Sequence, residues 1–300
     1  MGAVIVAFYP RRESVAELVT RYRKQLDRVV VVDNTPGGAD LGLLVRDSGG
    51  ELLELQENVG IAAALNRGIE YLIRKGCIWF VLSDQDSMPS EDLVHRLMSS
   101  FSGLQDKGVR VAAIGASFID PRTGHVVPFA KPNRCGTGRC LAPDTTGLVP
   151  TAYVITSGSL VSLEALEHVG LMAEGLFIDY VDTEWCFRAI SKGYRVYGDP
   201  AAVMEHTLGD STVRFWLFGM RQKGLHSPIR VYFQTRNFVL LCRLPHMGIC
   251  WRVCSLLKRS SAVLLYLLVG RGRRIAYLFS VIQGLQDGLM KREGGSRLRA

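Results

Sequence analysis

Short apolar runs, each closed by turn residues and followed by an amphipathic stretch, recur through the first two thirds of the chain. Val4-Ile5-Val6-Ala7-Phe8 predicts a strand ended by Tyr9-Pro10, and Ser14 with Glu17 three residues on predicts a capping-box helix start. That helix would turn Val15, Leu18 and Val19 inward. Val29 to Val32 predicts a second strand, terminated by the turn-rich Asp33-Asn34-Thr35-Pro36-Gly37-Gly38. A weaker third strand spans Leu52 to Leu55, and a helix through Ile61 to Gly68 follows Asn58 and Gly60. The small residues of its first turn leave two readings open: a helix N-terminus that attracts phosphate, or close packing of helix on sheet. The strand-helix-strand rhythm implies an α/β fold with a mostly parallel sheet and right-handed crossovers.

Trp79-Phe80-Val81-Leu82 predicts a central strand buried on both faces, and it runs straight into Ser83-Asp84-Gln85-Asp86-Ser87. Ligands of open α/β sheets bind beyond the carboxyl ends of such strands. Asp84 and Asp86, one residue apart, could hold a hard divalent cation there; the alternative is a polar strand end leading into a helix capped by Ser90. A helix over about 91–101 and a strand over 111–115 follow, then an irregular excursion over 120–151. Ala152 to Thr156 reads as a strand returning to the sheet, before a helix carrying Leu163, Leu166 and Val169 and ending at Gly170.

Between Leu176 and Arg188, Asp179, Asp182 and Glu184 lie among Phe177, Tyr180 and Trp185. Aromatic surroundings desolvate a carboxylate and raise its pKa toward the range of a general base. Asp182 is then either the cap of a helix or a base exposed at the helix start. Val196 to Pro200 and Ala201 to His206 read as strand, turn and strand, bringing His206 to an edge where it could complete a metal shell with Asp86.

Beyond Val213 the pattern becomes aromatic and basic, with two or three amphipathic helices whose apolar faces exceed what a surface helix needs. The net charge of +8 conceals the division: 20 Lys/Arg face 26 Asp/Glu over 1–212, against 16 and 2 over 213–300. Such helices fit an anionic membrane surface or the flank of the main domain. Basic residues interleaved with long aliphatic runs, without a nucleic-acid module, argue against nucleic acid. No run reaches the roughly 20 apolar residues of a spanning helix. Seven cysteines, several in apolar runs and none preceded by a secretory signal, suit a reducing cytoplasm, and neither Cys135/Cys140 nor Cys250/Cys254 has the partners of a zinc site. An ATPase phosphate loop and a dinucleotide fingerprint are both absent.

Taken in order, Phe8-Tyr9-Pro10, Val32-Asp33-Asn34, Asn58-x-Gly60 with Asn66-x-Gly68, Asp84-x-Asp86 and Asp182-Thr183-Glu184-Trp185-Cys186-x-Arg188 resemble the family-2 inverting glycosyltransferases. The likeness covers residues 3 to about 210. Leu82 to Ser87, Phe177 to Trp185 and Glu205-His206-x-x-Gly209 resemble the rhamnosyltransferase branch, in particular the enzymes of rhamnolipid synthesis. The resemblance implies a GT-A fold, with a Rossmann-like sheet over 1–212 and a basic, amphipathic helical region over 213–300. It further implies a dTDP-L-rhamnose donor, Mg2+ or Mn2+, and a glycolipid or lipid-linked saccharide acceptor at the cytoplasmic face of the inner membrane. Phe8, Tyr9, Asp33, Asn58, Gly60, Asn66, Asp84 and Gln85 would bind the donor. Asp86 and His206 would hold the metal and Asp182 would be the base, with Asp179, Glu184 and Trp185 on the acceptor side as fallback. Many relatives have Glu-Asp where this chain has Val181-Asp182, so the base assignment rests on Asp182.

Overall fold

The computed structural model describes residues 1–120, 124–130, 138–140, 147–206, 212–216, 220–224, 226–269 and 273–296. In chain order the first half comprises β1 (Gly2–Ala7), α1 (Arg12–Arg23), β2 (Arg28–Asp33), α2 (Gly42–Asp47), β3 (Glu51–Glu54), α3 (Ile61–Arg74), β4 (Trp79–Asp84), β5 (Ser87–Pro89), α4 (Leu93–Gln105) and β6 (Val111–Asp120). Short strands β7 (His125–Val126), β8 (Phe129–Ala130), β9 (Arg139–Cys140) and β10 (Val149–Pro150) precede β11 (Ser159–Ser162), α5 (Leu163–Val169), α6 (Val181–Ser191) and β12 (Arg195–His206). The chain then forms a hairpin, β13 (Thr212–Trp216) with β14 (Met220–Gly224), and three helices, α7 (Pro228–Leu241), α8 (Ile249–Val269) and α9 (Arg274–Leu289).

The main sheet has the order β10-β12-β6-β11-β4-β1-β2-β3. Its long strands β3, β2, β1, β4, β6 and β12 all point one way, and β11 runs against its neighbours β4 and β6. Alternation along β1 divides the core. Val4 and Val6 pack with Val30, Val32, Phe80 and Leu82 beneath α3 and α6. Ala3, Ile5 and Ala7 pack with Val29, Val31 and Val81 beneath α1 and α4. Gly68 lets α3 approach this sheet, since a Cβ there would collide with Val4 Cγ1.

Several expectations need correction. Helix α1 begins at Arg12, so Ser14 sits inside its first turn and caps nothing. The strand expected over Ala152 to Thr156 forms instead at Ser159–Ser162, while 151–156 is loop. Register with β4 explains the choice: Leu160 and Val161 fill the core opposite Val81 and Phe80. The two strands expected around Pro200 are one, β12, whose pairing with β6 is interrupted between Asp199 and Val203. Asp199 stabilises that irregularity by accepting from Ser100 Oγ at 2.6 Å and Ala201 N at 2.9 Å.

Candidate active site

At the carboxyl ends of β1, β2 and β4 the sheet opens into a cleft of about 490 Å³. Polar side chains fix one wall of it to itself. Gln85 Oε1 accepts from Phe8 N at 2.6 Å and its Nε2 donates to Phe8 O at 3.1 Å, which ties the ends of β1 and β4 together. Asn34 Nδ2 donates to Asn58 Oδ1 at 3.0 Å, while Asn34 Oδ1 accepts from Val59 N at 2.9 Å. Gly60 adopts φ +86°, and a Cβ there would lie 2.5 Å from the Phe177 ring. Only glycine meets both conditions without strain. The Phe177 carbonyl accepts from Ile61 N at 2.7 Å and Ala62 N at 3.5 Å. The protein itself therefore occupies the first N–H groups of α3, which favours close packing over a phosphate seat at that helix end.

The opposite wall is the segment 177–182, in which Phe177, Asp179 and Tyr180 all have φ between +63° and +66°. Left-handed conformations at such residues cost of order 1–3 kcal/mol each and persist only where surroundings enforce them. Helix α7 does so. Asn237 Nδ2 donates to the carbonyls of Leu176 (2.8 Å), Ile178 (2.7 Å) and Asp179 (3.1 Å), and Arg236 Nη2 to that of Leu176 at 2.9 Å. Arg230 of the same helix reaches into the cleft and pairs with Asp179 at 3.3 Å.

Asp84 and Asp182 meet across this cleft. Burial raises the Asp84 carboxyl to about 7, assisted by the charges of Asp86 and Asp182 and opposed by Arg230. Burial likewise raises Asp182 to about 6, against hydrogen bonds from Thr183, whose N–H lies 2.6 Å from Oδ1. Tyr180 occupies the helix cap position, so Asp182 sits in the first turn of α6 rather than capping it. Its burial is that of a carboxylate poised to take a proton near neutral pH.

Phe8, Asn58, Gly60, Asp84, Gln85, Asp86, Asp179 and Asp182 thus share one cleft. Other expected residues lie elsewhere. Asp33 is fully buried and accepts from Thr35 N at 3.0 Å and Ala39 N at 2.6 Å, shaping its own loop. Tyr9 points to solvent, with its N–H on Thr35 Oγ1. Asn66 is buried away from the cleft, bridging α3 to Met172 N and O and to Glu174. Glu184 is held by Arg188 at 2.9 Å and His246 at 3.0 Å, and Trp185 is buried with Nε1 on Gly170 O. Neither lines the cleft. Asp179 does line it, but its carboxylate is engaged by Arg230 and by Gln234 Nε2. The backbone of His206 pairs with Ser87, next to Asp86, and its side chain lies outside the described residues.

Asp84 and Asp86 fit a divalent cation, because the Asp86 charge acting on the half-buried Asp84 carboxyl is what a cation would relieve. Among the described residues no group of three or more His, Cys, Asp or Glu forms a ready-made cage. Two carboxylates with remaining oxygens supplied by substrate and water is the habit of Mg2+ at phosphate sites. Arg230, Gln234 and Asn237 escaped the sequence reading of the site. A signal existed for Asn237: the polar run Gln234-Thr235-Arg236-Asn237 separates Phe233 from Phe238, and Thr235, Arg236 and Asn237 are all buried.

The open sheet thus gathers acids at its strand ends, faced by the half-buried Asp182 carboxylate at the start of α6. The chain belongs to glycosyl transferase family 2, whose model matches residues 3–155, and it is a glycosyltransferase. Over 300 residues it is 32% identical to the dTDP-rhamnosyl transferase RfbF of Shigella flexneri, covering 99% of this chain and 98% of that protein. Among solved structures, GalNAc-T7 with UDP, GalNAc and Mn2+ superposes with a TM-score of 0.54 at 14% identity. That match covers 90% of this chain and spans 57% of the other, a likeness of fold.

Proposed function

We propose that the protein transfers L-rhamnose from dTDP-L-rhamnose, with inversion, to a hydroxyl of a glycolipid or lipid-linked polysaccharide intermediate. Rhamnolipid precursors are one such acceptor class. The reading is carried by the convergence of Asp84, Asp86 and Asp182 on one cleft, in a chain alike along its whole length to a dTDP-rhamnosyl transferase.

Asp182 takes the proton of the acceptor hydroxyl as that oxygen forms its bond to the anomeric carbon. The bond from that carbon to the nucleoside diphosphate breaks on the opposite face, and the diphosphate leaves with the electron pair. No covalent intermediate arises. Asp84 and Asp86 would hold Mg2+ or Mn2+, which when bound supplies charge neutralisation for the diphosphate. Arg230, paired with Asp179 and close enough for its charge to act on the Asp84 carboxyl, adds positive charge to the cleft. Tyr180 also lines a second hollow of about 220 Å³ with Tyr153, Trp251, Lys258 and Arg259, adjoining Thr183 and suited to the acceptor saccharide. The acceptor would be met at the cytoplasmic face of the inner membrane, with residues 213–300 as a peripheral contact. Among the described residues no helix is long and apolar enough to cross a membrane.

Thermal unfolding against a panel of nucleotide sugars, with and without Mg2+, tests the reading. dTDP-L-rhamnose with Mg2+ should give the largest rise in Tm. A larger rise with another sugar nucleotide would assign a different donor to the same fold.

A further inference from the structure

Surface helices ordinarily bury their apolar stripe and expose their polar one. Helix α9 does the reverse. Toward α7 it turns Ser280, Gly284 and Gly288, with Tyr277, all buried. The contact is so close that a Cβ on Gly284 would lie 2.8 Å from Tyr232 O, and one on Gly288 2.7 Å from Val239 Cβ. Outward it turns Ile275, Leu278, Phe279, Ile282, Leu285 and Leu289, from 42% to 72% exposed. These recur at three- and four-residue intervals and form one stripe.

Helix α8 repeats the arrangement. Ile249, Val253, Leu257, Leu264 and Leu268 fall on one exposed face, while Trp251, Ser255 and Tyr266 are buried. The two helices are joined by stacking of Tyr266 on Tyr277 at 5.1 Å and by Arg274 Nη2 on Leu268 O at 2.9 Å. Two outward apolar stripes, on helices about 31 and 24 Å long at the helical rise, are far more than scattered surface hydrophobics.

We infer that the outward faces of α8 and α9 dock in the interface of an anionic bilayer. The inference deepens the peripheral contact proposed for residues 213–300 and rests on that reading, not on the identity of the sugar. Charge selects the occupant. Arg273 and Arg274 stand immediately before the α9 stripe and Lys291 just after it, all exposed. The region 213–300 carries 16 Lys/Arg against 2 Asp/Glu, so a second copy would bring two strongly basic regions together, whereas anionic headgroups oppose them. A small-residue seam that holds one helix tightly to the body while its apolar side faces outward is the packing expected beside hydrocarbon.

Flotation of the full chain with phosphatidylcholine vesicles, with and without about one-third phosphatidylglycerol, is the test. The protein should float with the anionic vesicles and largely remain behind with the neutral ones. The combined variant Leu278→Ser, Phe279→Ser, Ile282→Ser should lose at least about tenfold in partitioning, and so should Arg273→Glu with Lys291→Glu, both keeping the wild-type urea midpoint. Failure of the wild type to float, or flotation of both variants like wild type, would overturn the inference. So would sedimentation showing a wild-type dimer that the triple variant converts to monomer without any vesicle binding, since the face would then belong to a second copy. Loss of rhamnosyl transfer with flotation intact would fault the sugar reading alone.

Discussion

Replacing Asp182 by Asn takes away the proton acceptor proposed for the reaction while keeping the shape of the side chain and its bond from Thr183 N. Burial lifts this carboxyl from 3.8 to about 6, so it binds a proton roughly a hundredfold more tightly than an exposed aspartate. A base with that value is almost wholly ionised at pH 8 and only about one-tenth ionised at pH 5. Wild-type turnover at saturating donor should therefore be flat above about pH 7 and fall about tenfold per pH unit well below 6. The Asn variant should lose about 10²- to 10⁴-fold in turnover, roughly 3–5 kcal/mol of barrier, and show no such acid limb. Asp84, raised to about 7, titrates in the same window, and the wild-type limb belongs to the interacting pair. The variant separates them: with the Asp182 charge gone, the pH limb of donor binding should move to lower pH. dTDP release measured from pH 5 to 9, beside donor titrations, supplies both curves. Turnover within about threefold of wild type, or an unchanged acid limb, would refute the assignment.

Four further outcomes are expected. Asp84 and Asp182 hold protons more tightly folded than unfolded, so the stability they contribute is complete below about pH 4 and lost as pH rises through 6 to 7. The metal-free protein should lose Tm over that range, less so in Asp84→Asn, as calorimetry can follow. Asp86→Ala should abolish Mg2+-dependent donor binding in titration calorimetry; equal affinity with and without Mg2+ in the wild type would contradict the metal role. Gly60→Ala must place a Cβ against Phe177 at φ +86° and should cost about 1–3 kcal/mol in urea unfolding, with weaker donor binding. Arg188→Met leaves the buried Glu184 with His246 alone and should cost about 3–5 kcal/mol, which Glu184→Gln in the same chain should partly restore.

Strands that are apolar on both faces announce themselves, so β1, β2 and β4, and the acids at their ends, were legible from local pattern. Strand β11 was not, because Ala152 to Thr156 carries as good a β pattern as Ser159–Ser162 and only register against β4 decides between them. Within the cleft, Asp84 and Asp182 were legible because strand ends and aromatic surroundings are local signals. Asp33, Asn66, Glu184 and Trp185 were misplaced for a common reason. Each lies beside a legible motif but turns its side chain toward a partner outside the cleft, as Asn66 does toward Met172 and Glu184 toward His246. Arg230 and Asn237 were hidden in a basic, apolar stretch whose overall character pointed to a membrane, while their particular contacts run back to 176–179.

The three carbonyls gathered by Asn237 bear on how such transferases can be recombined. A chimera with its crossover before Ser227 would inherit every motif of the donor half and receive a foreign amide to hold a loop it was never matched to. A crossover after Leu241 would keep helix and loop together and exchange only α8, α9 and the chain end. Exchange of acceptor preference between relatives should therefore fail at the first junction and succeed at the second where the incoming α9 keeps small residues at 284 and 288 against α7.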